Sequence, residues 1–174
     1  IGPARPDAAV PLAGGWGWFT HAEVLSRSAS SRVVPAANIP ASVLARLTAA
    51  RTEIASLSLD RPRIMGILNT TPDSFSDGGQ HTAVSDAVRA GQAMVAAGAD
   101  ILDIGGESTR PGADFVLVSE EITRTAPVIA ALRGAGLRTP ISIDTRKSAV
   151  AEAAVRAGAN LVNDVSGFTF DPAL

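Results

Sequence analysis

A nine-residue pattern recurs in similar form, and it limits the possible folds more than any other feature of the chain. Val95-Ala-Ala-Gly-Ala-Asp-Ile-Leu-Asp103 and Val155-Arg-Ala-Gly-Ala-Asn-Leu-Val-Asn163 align without a gap. Each reads as a helix end, a glycine (Gly98 or Gly158) in the left-handed position past that end, and a buried strand starting soon after. Around this repeated joint, short apolar runs at Ile64–Leu68, Ile101–Ile104, Ile141–Ile143 and Leu161–Val162 alternate with longer segments. Those segments carry Val84, Val88, Gly91 and Val95, then Ile122, Ala126, Ile129 and Leu132, then Val150, Ala154 and Ala157 at helical spacing. Pro127 is expected to kink or split the second helix. Apolar strands joined by helices require a parallel sheet covered by helices, with right-handed crossovers. The expected class is therefore α/β, and the repeated joint favours a (β/α)8 barrel over an open doubly wound sheet.

Residues 1–60 have a different texture and form a separate N-terminal extension in this reading. They carry Pro3, Pro6, Pro11, Pro35 and Pro40, with Gly14 and Gly15 ahead of Trp16, Trp18 and Phe19. Val33 and Val34 suit a short strand, and Ala41–Arg51 reads as a helix with Val43, Leu44 and Leu47 on one side. The tryptophans are expected to pack in a small cap rather than to form a ligand platform. No chemistry is assigned to this region.

Composition removes several classes of function. A formal net charge of −2 excludes a strongly basic nucleic-acid binder, and the absence of cysteine excludes disulfides, thiolate nucleophiles and sulfur-ligated metals. No apolar run approaches the roughly 18 residues of a membrane helix, and no secretory signal layout opens the chain, so a cytoplasmic location is expected. Lys147 is the single lysine, and His21 and His81 have no neighbouring ligand cluster.

The chemistry is expected where the strands end. Asn69, Asp103 with Gly105 and Gly106, Asp144 with Thr145, and Asn163 with Asp164 close the four runs. In a parallel barrel those ends converge on one face, where ligands bind. Taken singly, each residue has an ordinary reading as a helix cap or turn anchor; four in succession favour a site. The connection from Asn69 to Gly79 exceeds the usual length of a βα loop, and its oxygens suit a hard cation such as Mg²⁺. Gly105-Gly-Glu-Ser-Thr-Arg-Pro-Gly112 joins glycines, a hydroxyl and a guanidinium, which is a phosphate-binding chemistry. Its ordinary alternative is a surface ion pair between Arg110 and Glu107. Asp144 and Asn163 offer edges that match a flat 2-amino-4-oxo heterocycle.

Together, Ile67-Leu-Asn-Thr-Thr-Pro-Asp-Ser-Phe-Ser-Asp-Gly-Gly79, Asp103-Ile-Gly-Gly-Glu-Ser-Thr-Arg-Pro-Gly112, Ser142-Ile-Asp-Thr145 and Asn163-Asp-Val-Ser-Gly167 resemble the successive motifs of the dihydropteroate synthases. The resemblance runs from about Arg61 to Gly167. It implies a (β/α)8 barrel that joins 6-hydroxymethyl-7,8-dihydropterin diphosphate to 4-aminobenzoate, releasing diphosphate, with sulfonamides competing for the aminobenzoate site. It implies that Asn69 meets Mg²⁺, that Thr109 and Arg110 hold the diphosphate, and that Asp144 and Asn163 hold the pterin in a pocket lined by Ile67 and Val165. Phe75, Asp77 and Pro111 would lie on loops closing over the diphosphate and shaping the aminobenzoate site, with Arg110 and Asp77 acting in catalysis. A homodimer is implied for the full-length protein.

Residues 61–174 hold four βα units where a whole barrel has eight in about 250 residues. The chain is accordingly expected to be the first half of the barrel plus its extension, inactive alone and prone to associate. A methyltetrahydrofolate:corrinoid methyltransferase resembles this family in its pterin-binding barrel, but the Thr109-Arg110 loop and the long Asn69 loop argue against it. A non-catalytic pterin-binding partner is the remaining alternative.

Overall fold

The computed structural model describes residues 4–71, 79–110 and 112–174. The chain divides into two compact units, Ile1–Pro62 and Arg63–Leu174.

The first unit contains two short antiparallel hairpins and a helix. Strand β1 (Val10–Pro11) pairs with β2 (Trp18–Phe19), and β3 (His21–Val24) pairs with β4 (Arg32–Pro35). Gly14, in the β1–β2 turn, has φ +66°, and a Cβ there would lie 2.6 Å from the Ala50 Cα, so only glycine fits. Helix α1 (Ala41–Thr48) begins directly after Pro40. It stops three residues short of Arg51, with the Thr48 hydroxyl donating to the Leu44 carbonyl. Trp16 is 75% exposed rather than packed in a cap. The two-residue strands on either side of it are too short to fold over an indole.

The second unit is the expected α/β arrangement. Strands β5 (Met65–Asn69), β6 (Ile101–Gly105), β7 (Ile141–Asp144) and β8 (Leu161–Asn163) form one parallel sheet in sequential order. Helices α2 (Gly79–Ala96), α3 (Val118–Gly134) and α4 (Ser148–Ala157) connect them. These are consecutive βα units laid out as in a (β/α)8 barrel. Each strand runs on past its apolar run to include the residue that ends it: Asn69, Gly105, Asp144 and Asn163.

The period-two alternation of a strand separates the two faces of this sheet. Leu68, Leu102, Ile104, Ile141 and Ile143 are essentially buried, and they pack with Val128, Ile129, Leu132, Val150 and Ala154 in the core. At about 1.5–3 kcal/mol per buried large aliphatic side chain, this face supplies the main stabilisation of the unit. Helix α2 comes close because Gly91 has no side chain; a Cβ there would stand 3.2 Å from both Leu102 and Leu132.

Gly98 and Gly158 take the left-handed conformation expected of them, with φ +106° and +116°. Arg133 braces the second joint, donating to the carbonyls of Gly158, Leu137 and Thr139 and to Asn160 Oδ1. Pro127 does not split α3, which runs unbroken from Val118 to Gly134. The proline lies on the exposed side, while Glu121, Thr125, Val128, Ile129 and Leu132 anchor the opposite stripe.

Candidate active site at the strand ends

The strand register determines which side chains meet on the face away from the helices. Ile67, Asp103, Ser142 and Leu161 are successive partners across the sheet and form one layer. Asn69, Gly105, Asp144 and Asn163 form the next layer, at the carboxyl ends of the strands. Three of the residues expected in the site, Asn69, Asp144 and Asn163, therefore share one rim. Gly105 leaves an open floor between them. The point where its Cβ would stand lies 3.6 Å from Asp144 Oδ2 and 3.9 Å from Asn69 Oδ1, in space that neither fills.

Beneath this rim the two central side chains of the layer, Asp103 and Ser142, are polar and buried. Asn163 Nδ2 donates to Asp103 Oδ2 at 3.0 Å, which turns the Asn163 carbonyl oxygen away from Asp103. Asp103 Oδ1 and Ser142 Oγ are buried without a hydrogen-bond partner among the described residues. Buried polar atoms normally have one, so the pair marks the floor as a place for a polar group to bind. Asp144 responds to the same surroundings. Burial pushes its pKa up to about 6, and the carboxylates of Asp103, Glu121, Asp164 and Glu107 add to the shift.

The β6–α3 connection begins with a pinned base and continues with an exposed stretch. Gly106 is packed so tightly that a Cβ would stand 2.8 Å from Thr125 Cγ2, and its carbonyl accepts from Arg124 at 2.9 Å. Glu107 is buried. It accepts from the Val116 amide at 3.0 Å and from Arg146, and it pairs with Lys147 at 3.2 Å. The ordinary reading that paired Glu107 with Arg110 is thus replaced by Arg146 and Lys147, which come from the β7–α4 connection. Burial works to raise the Glu107 pKa, but these donors outweigh it and hold the carboxyl below its usual value. Ser108, Thr109 and Arg110 follow on the surface.

Ile67 and Val165 are 62% and 69% exposed, Ile67 on the rim-bearing face and Val165 two residues past β8. Phe75, Asp77 and Pro111 lie outside the described residues. The ordinary reading of Asp103 as a cap or turn anchor gives way to another: it holds the Asn163 side chain. Sequence reasoning gave no role to Lys147 or Glu121. Lys147 had one available signal, being the only lysine in an arginine-rich chain.

Comparisons with known proteins agree with this geometry. The profile of the family described as pterin binding enzyme matches residues 65–174. A dihydropteroate synthase of Synechocystis is 56% identical over 112 residues, which is 64% of this chain and 38% of that protein. The dihydropteroate synthase of Escherichia coli K12 is 48% identical over 119 residues, covering 68% and 42%. The solved structure of Xanthomonas albilineans dihydropteroate synthase with 4-aminobenzoic acid superposes with a TM-score of 0.62 at 56% identity, covering 67% of this chain and 43% of that one. The chain spans about two fifths of the length of the curated relatives it matches. With the family profile covering well over half of its residues and the rim built as described, the chain belongs to the pterin-binding enzymes.

Proposed function

We propose that this chain contributes the pterin and diphosphate subsites of a dihydropteroate synthase. The observation that carries the reading is the single layer of Asn69, Gly105, Asp144 and Asn163 above a buried polar floor. Asp144 and the Asn163 carbonyl accept from the N–H edge of the pterin, and Gly105 leaves room for the flat ring to lie close. Binding favours the ionised Asp144, since a carboxylate accepts those hydrogen bonds and a carboxylic acid blocks one of them. Ile67 and Val165 flank the ring. Thr109 and Arg110 hold the diphosphate, the guanidinium matching two phosphate oxygens at once. Arg110 acts on the charge that develops on the leaving diphosphate, and roles for Asp77, Phe75 and Pro111 belong to the same reading.

The bond from that methylene to the diphosphate oxygen breaks, and the diphosphate leaves with the electron pair. The lone pair of the 4-aminobenzoate nitrogen forms the new C–N bond, and the amine proton passes to solvent. A guanidinium placed on the developing charge lowers the barrier to the first event.

Asn69 offers a neutral hard oxygen at the rim. Among the described residues no group of three or more His, Cys, Asp or Glu side chains could hold a metal. That donor set suits a cation carried mainly by phosphate and water oxygens, as Mg²⁺ is. When bound, Mg²⁺ supplies further neutralisation of the leaving diphosphate. A homodimer in the cytoplasm belongs to the same reading, supported by the family resemblance and by a cysteine-free sequence.

The test is a chimera in which residues 65–174 replace the matched segment of the Escherichia coli relative. It is expected to form dihydropteroate from the two substrates and to lose turnover on Arg110→Ala. A folded chimera that binds neither the hydroxymethylpterin nor its diphosphate ester would reject the reading.

A further inference from the structure

We propose that Lys147 is a positioning residue that cinches the base of the β6–α3 connection and thereby sets Thr109 and Arg110 for the diphosphate. This rests on the reading of that loop as the diphosphate subsite.

Lys147 lies three residues past Asp144, on the connection from β7 to α4, and is 3% exposed. From there its ammonium reaches beneath the neighbouring loop. It donates to the Val116 carbonyl at 2.5 Å and to Glu121 Oε2 at 2.7 Å, pairs with Glu107 Oε1 at 3.2 Å, and sits 4.4 Å from the centre of the Phe115 ring. Glu107 stands at the start of the connection and Val116 near its end. The same Glu107 oxygen also accepts from the Val116 amide at 3.0 Å. Lys147, Glu107 and Val116 therefore close the loop on itself, leaving Ser108, Thr109 and Arg110 exposed on the closed portion.

Stability alone does not account for the arrangement. A buried charge triad is often no more stabilising than apolar side chains of the same volume, and in some proteins such groups instead fix one geometry. Here one oxygen, Glu121 Oε1, is even left without a partner among the described residues. What the triad does fix is the distance between two connections: the one that follows Asp144 and the one that carries Arg110. A substrate with a ring at one end and a charged tail at the other has to be met by both.

The experiment uses the full chain and two variants. Lys147→Met leaves the buried Glu121 uncompensated, while Glu107 keeps Arg146, and risks the fold, so Lys147→Met combined with Glu121→Gln removes the buried imbalance as well. Amide hydrogen exchange is followed by peptide, and binding is titrated with inorganic pyrophosphate and, separately, with 6-hydroxymethylpterin. The expected result for the double variant is exchange about tenfold faster across residues 106–117 with unchanged exchange in β6 and β7. Pyrophosphate affinity should fall about tenfold while affinity for the ring alone stays within about twofold. Unchanged exchange across 106–117 would overturn the proposal, and so would an equal fall in both affinities. If the parent binds neither probe, the subsite reading fails, and loop exchange still decides the role of Lys147.

Discussion

Replacing Asp144 by asparagine should stabilise the ligand-free protein and at the same time weaken its hold on the ring. Burial and the nearby carboxylates of Asp103, Glu121, Asp164 and Glu107 raise the Asp144 pKa from the ordinary 3.8 to about 6. The folded state thus favours the proton more than the unfolded chain does. Below about pH 4 both states hold that proton and no penalty exists; as pH rises from about 4 to 6 the unfolded chain ionises first, and stability is lost. At about 1.4 kcal/mol per pKa unit, the ceiling on this loss is about 3 kcal/mol. Water still reaches part of the side chain, which reduces the expected figure to about 1–2 kcal/mol. Asparagine has nothing to ionise and keeps the shape. Urea unfolding followed by far-UV circular dichroism should therefore find the variant more stable than the parent by about 1–2 kcal/mol at pH 7.5, with the difference vanishing near pH 4. Calorimetric titration with 6-hydroxymethylpterin should show the reverse effect. Losing a charge-assisted hydrogen bond costs about 1.5–3 kcal/mol, or roughly 10–150-fold in affinity. A variant less stable than the parent at pH 7.5, or a stability difference independent of pH, would refute the electrostatic account of Asp144.

Three further outcomes follow from the packing and the loop. Gly106→Ala places a methyl 2.8 Å from Thr125 Cγ2 and should cost about 1–3 kcal/mol in urea unfolding. Adding Thr125→Ser should recover part of that, because serine drops the methyl and keeps a hydroxyl for the Glu121 carbonyl, while the contacts with Glu121 Cγ at 3.1 Å and its carbonyl at 3.3 Å remain. The two left-handed glycines should respond unequally. Gly98→Ala meets nothing within 4 Å and pays only the backbone cost of about 1–2 kcal/mol, whereas Gly158→Ala also meets Arg133 Cγ at 2.8 Å and should lose measurably more. Arg110→Ala in the chimera should lower affinity for the diphosphate ester by about tenfold or more while leaving the ring alone unaffected by calorimetry.

The sequence made the sheet legible because its signals are local. The repeated glycine joint fixes where helices end and strands begin, and the polar residue closing each apolar run then falls into a common layer. Asn69, Asp144 and Asn163 could be read as one site for that reason. Buried charge was not legible. Glu121 occupies a core position on α3 only because Lys147, 26 residues later, meets it there. A helical pattern that ranks residues by hydrophobicity places Ile122 on that stripe instead, although it is only partly buried. Pro127 was overestimated in the same way. Its missing hydrogen bond counts for less when the packed stripe on the other side of α3 holds the helix together. The partnership of Asp103 with Asn163 spans 60 residues, so no local pattern could disclose it.

The account stands most directly on where a bound substrate lies. A crystal structure of the chain with 6-hydroxymethyl-7,8-dihydropterin diphosphate is predicted to show the ring edge on Asp144 and the Asn163 carbonyl, above Gly105, with the diphosphate between Asn69 and Arg110. A ring seated elsewhere, with that rim untouched, would contradict it.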